Sequence, residues 1–211
     1  MESHAGSATV FLLSPANCAG KRGQLLLRPE ADFELARALR NGGAPLGEVY
    51  AFMSSLYFRG KLAYAARFAR PLAGAGSSTW VITPGRGLCP TSHVVTLNEL
   101  QSVATIDVDA RNALYTAPLR RDAADIARLA PAECRFVLLG SIATSKYVEP
   151  LLDVFGPRLM FPCAFVGRGD MSRGGLMLRC AQEGTELDYA PVHSSVLHGE
   201  RPARLGPRRT P

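Results

Sequence analysis

The chain predicts a three-layer α/β domain with a central, mostly parallel sheet of four to five strands, flanking helices and a C-terminal hairpin. Two observations lead to this fold class. Four short apolar runs recur along the chain, and segments with helical spacing lie between them. Continuously apolar strands are typical of a parallel sheet that helices cover on both faces. A length of 211 residues suits one such domain, which we assign to residues 1–198.

Each apolar run is followed by a loop of glycine, serine, proline, asparagine or basic residues. The four runs are Ala8–Leu13, Thr79–Thr83, Arg135–Gly140 and Arg158–Phe161. Because the carboxyl ends of parallel strands meet at one edge of a sheet, we expect the loops to line a single polar, cationic cleft. The segment Val10–Gly23 contains the first run and its loop, and we expect the site to be organised around it.

Helical spacing and end signals place the helices between these runs. They are predicted at Asp32–Arg40, Leu46–Leu56, Lys61–Arg70, Asp122–Leu129 and from the third strand's loop to about Phe155, with a break at Tyr57–Gly60. Thr96-Leu-Asn-Glu99 is a capping-box pattern that starts a further helix. An edge strand is predicted at Thr105–Val108, and a hairpin around Glu183-Gly184 is predicted from Leu176–Cys180 and Glu186–Ala190.

Composition excludes several classes of protein. Apolar and charged fractions of 47% and 20% are those of a globular chain. No apolar run reaches the length of a membrane span, and the N-terminus lacks the pattern of a signal peptide, so we expect a cytoplasmic protein. The five cysteines form no C-x-x-C pair, and the four histidines do not cluster near them. We therefore expect neither a metal nor another cofactor.

The charge balance favours a polyanionic partner. The formal net charge is +6, with a pI near 9.3. Part of the excess lies in residues 199–211, where arginines alternate with prolines and glycines, and this basic tail is predicted to be disordered.

Three loop sequences together resemble a known superfamily. Ser14-Pro-Ala-Asn17 follows the first strand, Phe136-Val-Leu-Leu-Gly-Ser-Ile-Ala143 contains the third, and Gly167-Arg-Gly-Asp-Met-Ser172 follows the fourth. In this order they are similar to the motifs of the uracil-DNA glycosylase-like superfamily. Tyr57-Phe-Arg-Gly-Lys-Leu-Ala-Tyr64 also looks like domains of archaeosine-synthesis enzymes and YaaA-like proteins, thought to be distant relatives of that fold. Cysteine instead of proline after Asn17, and no histidine in Gly167–Gly175, argue against a uracil-specific enzyme.

The resemblance implies a DNA glycosylase that flips a nucleotide into a pocket and breaks its N-glycosidic bond. Asn17 would position the water, and Asp170 would supply a carboxylate near the sugar; which of the two is the main catalytic residue stays open. Ala19 would occupy the place of a tyrosine that blocks 5-substituted pyrimidines in uracil-specific members. We therefore expect a modified cytosine of phage DNA as substrate, including glucosylated hydroxymethylcytosine.

The remaining site residues follow from the same comparison, and we expect a monomer. Those expected to bind the flipped base are Pro15, Ala16, Cys18, Ala19, Tyr57, Phe58, Gly85 and Ser141. Those expected to contact DNA are Lys21, Arg22, Arg59, Lys61, Arg86, Lys146, Arg168, Met171, Ser172 and Arg173, with Met171 as an apolar wedge.

Four other functions stay open. The chain would bind nucleic acid without catalysis, or serve as an accessory domain in tRNA 7-deazaguanine modification, if the archaeosine and YaaA resemblance is the relevant one. A small-molecule nucleoside enzyme would use the same cleft. A hydrolase with Ser14 or Cys18 as nucleophile is a further rival, although no histidine–aspartate partner is identifiable in the sequence.

Overall fold

A computed structural model describes residues 7–194. The six strands of the main sheet lie in the spatial order β4-β3-β1-β6-β7-β8. They are β1 (Thr9–Leu13), β3 (Thr79–Thr83), β4 (Gly87–Pro90), β6 (Arg135–Leu139), β7 (Leu159–Pro162) and β8 (Tyr189–Pro191). The four inner strands are parallel, while β4 and β8 pair antiparallel at the two edges. Two short strands, β2 (Ala44–Pro45) and β5 (Val94–Val95), form a separate antiparallel pair.

Seven α-helices surround the sheet in the described part of the chain. They are α1 (Lys21–Leu27), α2 (Glu34–Asn41), α3 (Leu46–Phe68), α4 (Leu97–Ala104), α5 (Ala113–Leu129), α6 (Ser145–Phe155) and α7 (Asp170–Glu183). Short 3-10 turns occupy Gly156–Arg158, Cys163–Phe165 and Val192–Ser194. The predicted three-layer α/β domain with a mostly parallel sheet is confirmed.

The first strand divides the core because its side chains alternate between the two faces of the sheet. Phe11 and Leu13 pack with α1 to α4 and α7, whereas Val10 and Leu12 pack with α5 and α6. All five residues of β1 are buried, which explains why the strand is apolar from Val10 to Leu13. The core therefore has one layer on each side of the sheet.

The four strands predicted from the apolar runs and most of the predicted helices are confirmed, with β3 beginning and ending where expected. The capping box at Thr96 is formed in both directions: Thr96 Oγ1 accepts from the Glu99 amide, and Glu99 Oε2 accepts from the Thr96 amide. The predicted break in α3 is present, but it falls at Ser55 (φ 46°) instead of Tyr57–Gly60.

The predicted C-terminal hairpin is wrong. Residues 176–180 belong to α7, and the buried residues Gly174, Met177 and Cys180 recur at helical spacing. Gly184 has φ 69° and caps this helix through its amide to the Cys180 carbonyl, so it ends a helix instead of turning a hairpin.

Two other predictions are corrected. Residues 105–108 form a loop instead of an edge strand, although Ile106 and Val108 still pack against the core. Helix α5 begins at Ala113, after an Asn112 cap, instead of at Asp122, and it contains Pro118. Residues 21–27, for which we predicted no helix or strand, are helical. The predicted boundary at residue 198 and the basic tail lie outside the described residues.

Candidate active site

The sheet changes winding direction between β1 and β6. The chain leaves β1 towards α1 on one face and leaves the adjacent β6 towards α6 on the other face. Two loops that diverge to opposite faces leave an opening at the carboxyl edge, which is where open α/β sheets bind ligands. The predicted position of the cleft agrees with this topology.

A crevice of about 510 Å³ lies at this opening. Its lining consists of residues 15–19, Pro84, residues 103–108, Lys146 and Tyr147. This volume falls in the range of roughly 300–1,000 Å³ that is usual for small-molecule sites. Five predicted substrate or catalytic residues line it (Pro15, Ala16, Asn17, Cys18 and Ala19), and so does the predicted DNA contact Lys146.

The loop after β1 presents Asn17 and Ala19 to solvent and buries Ala16 and Cys18. Asn17 Oδ1 accepts a hydrogen bond of 3.0 Å from the Ala19 amide, which holds the side chain in one orientation. Helix α1 presses on this loop at Gly23, where an added Cβ would lie 2.1 Å from the Cys18 carbonyl oxygen. Helix α1 can approach the loop this closely because Gly23 has no side chain, and this contact sets the shape of the wall.

A buried lysine supports the same loop from below. Lys61 is 1% exposed, and its ammonium donates to the Ser14 carbonyl at 2.9 Å and to Ser14 Oγ at 2.7 Å. Its Nζ lies 3.9 Å from the centroid of the Tyr57 ring. Burial lowers the pKa of Lys61 to about 7; the Asp170 charge opposes this shift and the Arg173 charge adds to it. A buried cation that contacts no carboxylate directly is costly to retain.

Tyr57 is 6% exposed, and burial raises the pKa of its hydroxyl to about 12. The charges of Arg173 and Asp170 act on this hydroxyl, yet it makes no hydrogen bond of normal geometry within residues 7–194. Burial is the main cause that raises the pKa of Tyr147, which lines the crevice, and the Asp170 charge adds to this shift. The Asp170 charge also acts on Lys61 and Tyr57, so the same carboxylate influences the buried group and the crevice wall.

Two glycines bring α3 and α7 together beside this group. A Cβ at Gly60 would lie 2.6 Å from the Gly174 carbonyl oxygen, and one at Gly174 would lie 2.7 Å from the Leu56 carbonyl oxygen. This close crossing places Tyr57 and Lys61 near Asp170 and Arg173. Asp170 Oδ1 is 3.7 Å from Arg173 Nη1, and the Asp170 side chain is 68% exposed.

Asp170 begins α7, where a carboxylate is favourable near the positive end of the helix dipole. It is not one of the residues that line the crevice. The predicted fourth loop is therefore mostly helical, and it meets α3 more directly than it meets the crevice. The role of Asp170 near the sugar stays a prediction.

The predicted aromatic contacts with the base are not compatible with burial. Phe58 is 0% exposed and packs edge-to-face against Tyr50 with ring centroids 5.4 Å apart. Tyr57 is also closed off from the crevice, although its hydroxyl makes no hydrogen bond of normal geometry in the described part of the chain. Neither ring can stack on a flipped base in this conformation. Phe58 is a core residue.

The predicted DNA contacts fall into two groups. Lys61 is buried, and Arg173 has a side chain only 12% exposed, so neither can bind a phosphate on the surface. Lys21, Arg22 and Arg59 are exposed. Arg86 is ion-paired with Glu99 at 2.9 Å, and Arg168 donates to Ser172 Oγ at 3.2 Å.

Three predicted positions have ordinary local roles. Gly85 is an exposed turn residue with φ 75°, and Ser141 Oγ accepts from the Ala143 amide at 3.3 Å. Met171, the predicted wedge, is 65% exposed on the first turn of α7. Its exposure agrees with a surface contact and leaves the partner open.

In the alternative hydrolase hypothesis, the Ser14 nucleophile has a neighbouring amine, that of Lys61, which the sequence did not indicate. Ser14 and Lys61 form the pair used by serine–lysine hydrolases. Ser14 is only 4% exposed and also hydrogen-bonds the Leu139 carbonyl, so a substrate cannot reach its hydroxyl in this conformation. Burial raises the pKa of the Cys18 thiol to about 11, which keeps it protonated and unreactive near neutral pH.

Sequence reasoning missed two features of the site. Asp107 lines the crevice, but its segment looked like a strand because apolar and polar residues alternate from Thr105 to Val108. The second feature is the burial of Lys61, which the spacing of residues in the sequence could have predicted. Tyr57, Lys61 and Tyr64 follow each other at helical spacing, so the lysine shares a face with two buried tyrosines.

Among residues 7–194, no helix combines the length and the apolar character needed to cross a membrane. In the same range, no three histidine, cysteine, aspartate or glutamate residues are grouped to hold a metal ion. No family model matches the chain, and no curated protein or solved structure is similar enough to count as a match. Function must therefore be inferred from the chemistry of the site itself.

Proposed function

We propose that the chain is a DNA glycosylase that takes a flipped, 5-substituted cytosine into the crevice and hydrolyses its N-glycosidic bond, leaving an abasic site. The observation that carries this proposal is the pairing of Asn17 and Ala19, both exposed, on one wall of the switch-point crevice. The amide of Asn17 can hydrogen-bond a water molecule, and the small side chain of Ala19 leaves room beside it for the substrate.

The polarity of the crevice supports hydrolysis of a neutral, polar ligand. Asn17, Asp107 and Lys146 contribute polar groups, while Ile106, Val108 and Tyr147 contribute apolar surface. A nucleobase needs both, because its faces are apolar and its edges carry donors and acceptors. Cleavage also needs a positioned water and stabilisation of an oxocarbenium-like sugar.

The position of Asn17 suits it to orient water. Its Oδ1 is already held by the Ala19 amide, and a carbonyl oxygen has a second lone pair with which to accept from water. An amide is a weak base, so Asn17 would hold the nucleophile without taking its proton.

The wall at Ala19 favours a substrate with a large 5-substituent. A methyl group stands at an exposed position of the lining, and the crevice volume of about 510 Å³ exceeds what an unmodified base occupies. Glucosylated 5-hydroxymethylcytosine in phage DNA is the substrate we propose. Exposed Lys21 and Arg22, which directly follow this loop, would contact the phosphates without sequence preference.

The proposal is tested by incubating the protein with glucosylated phage DNA and with unmodified DNA of the same sequence. We expect alkali-labile sites and a freed modified base, detected by mass spectrometry, only from the modified DNA. Asn17→Ala should reduce the single-turnover rate by about 10²-fold or more, in line with the loss of one positioning contact at a reacting water. Asn98→Ala changes an exposed asparagine on α4 that does not line the crevice, so its rate should equal that of the wild type.

Salt-dependent DNA binding without any released base would contradict this activity and would support the non-catalytic alternative. Release of base from free nucleosides, with none from DNA, would instead indicate a small-molecule enzyme. Each of these outcomes would assign the chain to a different functional class.

Ala19→Tyr tests the open wall directly. A phenol at this exposed position would project into the crevice, so we expect excision of the glucosylated base to fall at least tenfold relative to that of smaller 5-substituted cytosines. The measurement is the ratio of the two rates for wild type and variant in one reaction mixture. An unchanged ratio would mean that Ala19 does not face the 5-position.

A further inference from the structure

We propose that Asp107 is the catalytic carboxylate of this site and faces the sugar from the segment of residues 103–108. This inference rests on the proposed glycosylase activity and deepens it. Among the crevice-lining residues in the described part of the chain, Asp107 is the one carboxylate.

The backbone of Asp107 is fixed while its carboxylate stays available. The Asp107 carbonyl accepts from Asn112 Nδ2 at 2.7 Å, and Asn112 in turn caps α5. The side chain is exposed, and its charge acts on Arg111, which is hydrogen-bonded to Asp109 instead. The main chain therefore fixes where Asp107 stands, while its carboxylate oxygens are left for substrate or water.

Its neighbour Asp109 has the opposite character. Both of its oxygens are used by Arg111, whose Nε and Nη2 donate at 2.9 and 3.0 Å, and the Arg111 amide donates as well. These contacts hold the pKa of Asp109 down at about 2. Asp109 therefore stabilises the turn that leads into α5, whereas Asp107 is the aspartate that we assign to the reaction.

The segment that carries Asp107 is packed against another wall of the crevice. A Cβ at Gly85 would lie 3.1 Å from Ile106 Cγ1, and the Ile106 amide donates to the Val103 carbonyl at 3.3 Å. The turn after β3 therefore supports the loop directly before Asp107. Asp170, by comparison, lies outside the lining and beside Arg173.

Asp107 takes up and then releases one proton while the N-glycosidic bond of the nucleotide is hydrolysed. The C1′–N1 bond of the nucleotide breaks, and its electron pair goes to the base. The oxygen of the water held by Asn17 bonds to C1′, and the Asp107 carboxylate accepts one water proton. That proton is passed to the departing base, which leaves neutral, and Asp107 returns to its ionised form. In the transition state the carboxylate also stabilises the positive charge that develops on the sugar.

Three isosteric variants test the assignment: Asp107→Asn, Asp109→Asn as the matched control two residues away, and Asp170→Asn. Single-turnover excision from glucosylated DNA should fall by about 10²–10⁴-fold in Asp107→Asn, the usual contribution of a general base. Affinity for the same DNA should stay within threefold, because the carboxylate acts mainly in the transition state. Asp109→Asn should retain the wild-type rate, since an exposed ion pair contributes little to stability.

A small carboxylate provides a readout that a structural role would not give. Asp107→Ala should regain part of its rate when sodium formate is added, whereas Asp170→Ala should not. If Asp107→Asn stays within threefold of the wild-type rate, Asp107 is not the catalytic carboxylate, although the glycosylase activity stands. If the wild type frees no base from DNA or from free 5-hydroxymethyl-2′-deoxycytidine, both proposals are overturned.

Discussion

Lys61→Met is expected to raise the free energy of unfolding by about 1–4 kcal/mol at pH 7, by analogy with buried ion pairs that are replaced by apolar residues of similar volume. Lys61 lies 1% exposed and contacts Ser14 instead of a carboxylate, so its charge is poorly compensated. Methionine keeps the length of the side chain and removes the cost of burying an amine. The loss of two hydrogen bonds to Ser14 offsets part of this gain.

The gain should depend on pH in a defined direction. The folded-state pKa of Lys61 is lowered to about 7 from an ordinary value of 10.5, so the unfolded chain binds the additional proton between these values. The stability of the wild type therefore rises with pH across this window, by up to about 1.4 kcal/mol per unit from this group. The advantage of Lys61→Met is largest at pH 7 and below, and it declines towards pH 10.5.

Urea unfolding at several pH values, read as the difference between variant and wild type, measures this effect. Lys21→Met removes an exposed lysine and should leave the pH dependence unchanged. A Lys61→Met protein that is less stable at pH 7, or a difference that does not vary with pH, would contradict the buried position. We also expect slower excision in Lys61→Met, because Ser14 anchors the loop that carries Asn17.

Gly174→Ala is expected to destabilise the fold by about 1–3 kcal/mol, the usual cost of overpacking. Alanine normally favours a helix over glycine by about 1 kcal/mol, so propensity alone predicts the opposite sign. Here the new Cβ would lie 2.7 Å from the Leu56 carbonyl oxygen and 2.8 Å from Tyr57 Cα. Backbone atoms cannot turn away as a flexible side chain can, and α3 and α7 must move apart.

The measurement is the urea midpoint of Gly174→Ala compared with Gly169→Ser. An added Cβ at Gly169 meets no atom within 4 Å, and serine suits the residue before a helix. The control should therefore be as stable as the wild type. If Gly174→Ala matched or exceeded the wild type, the close crossing of α3 and α7 would be wrong.

The inner strands were predictable because most of their residues are buried between two helical layers and are therefore apolar. The edge strands were not: Gly87–Pro90 contains two turn-forming residue types, and Tyr189–Pro191 is only partly buried. The sequence at Leu176–Cys180 suits a strand or a helix, and the helix packs closely against α3 where Gly174 meets Gly60. Local pattern cannot reveal that contact.

In the site, too, some residues were predictable from the sequence and others were not. Pro15–Ala19 was predictable as a wall because it directly follows a buried strand, and strand ends define the edge of the sheet. Residues 103–108 follow no parallel strand, and they reach the crevice through tertiary contacts with Gly85 and Asn112. Burial of Lys61 and Phe58 depends on how a kinked helix lies over the sheet, so surface roles assigned from residue type alone were wrong there.

The contact between Gly23 and the Cys18 carbonyl gives the two walls different freedom to change. The wall with Asn17 is held between a helix and a strand, so its backbone has little freedom to move, although the side chains of Asn17 and Ala19 are exposed. The opposite wall belongs to no strand of the sheet, and its residues Ala104 and Thr105 are exposed. Substrate range is thus adjustable by substitutions at Ala104 and Thr105 while Asn17, Asp107 and the core contacts of Ile106 and Val108 are kept, which makes this protein a starting point for libraries of base-selective variants.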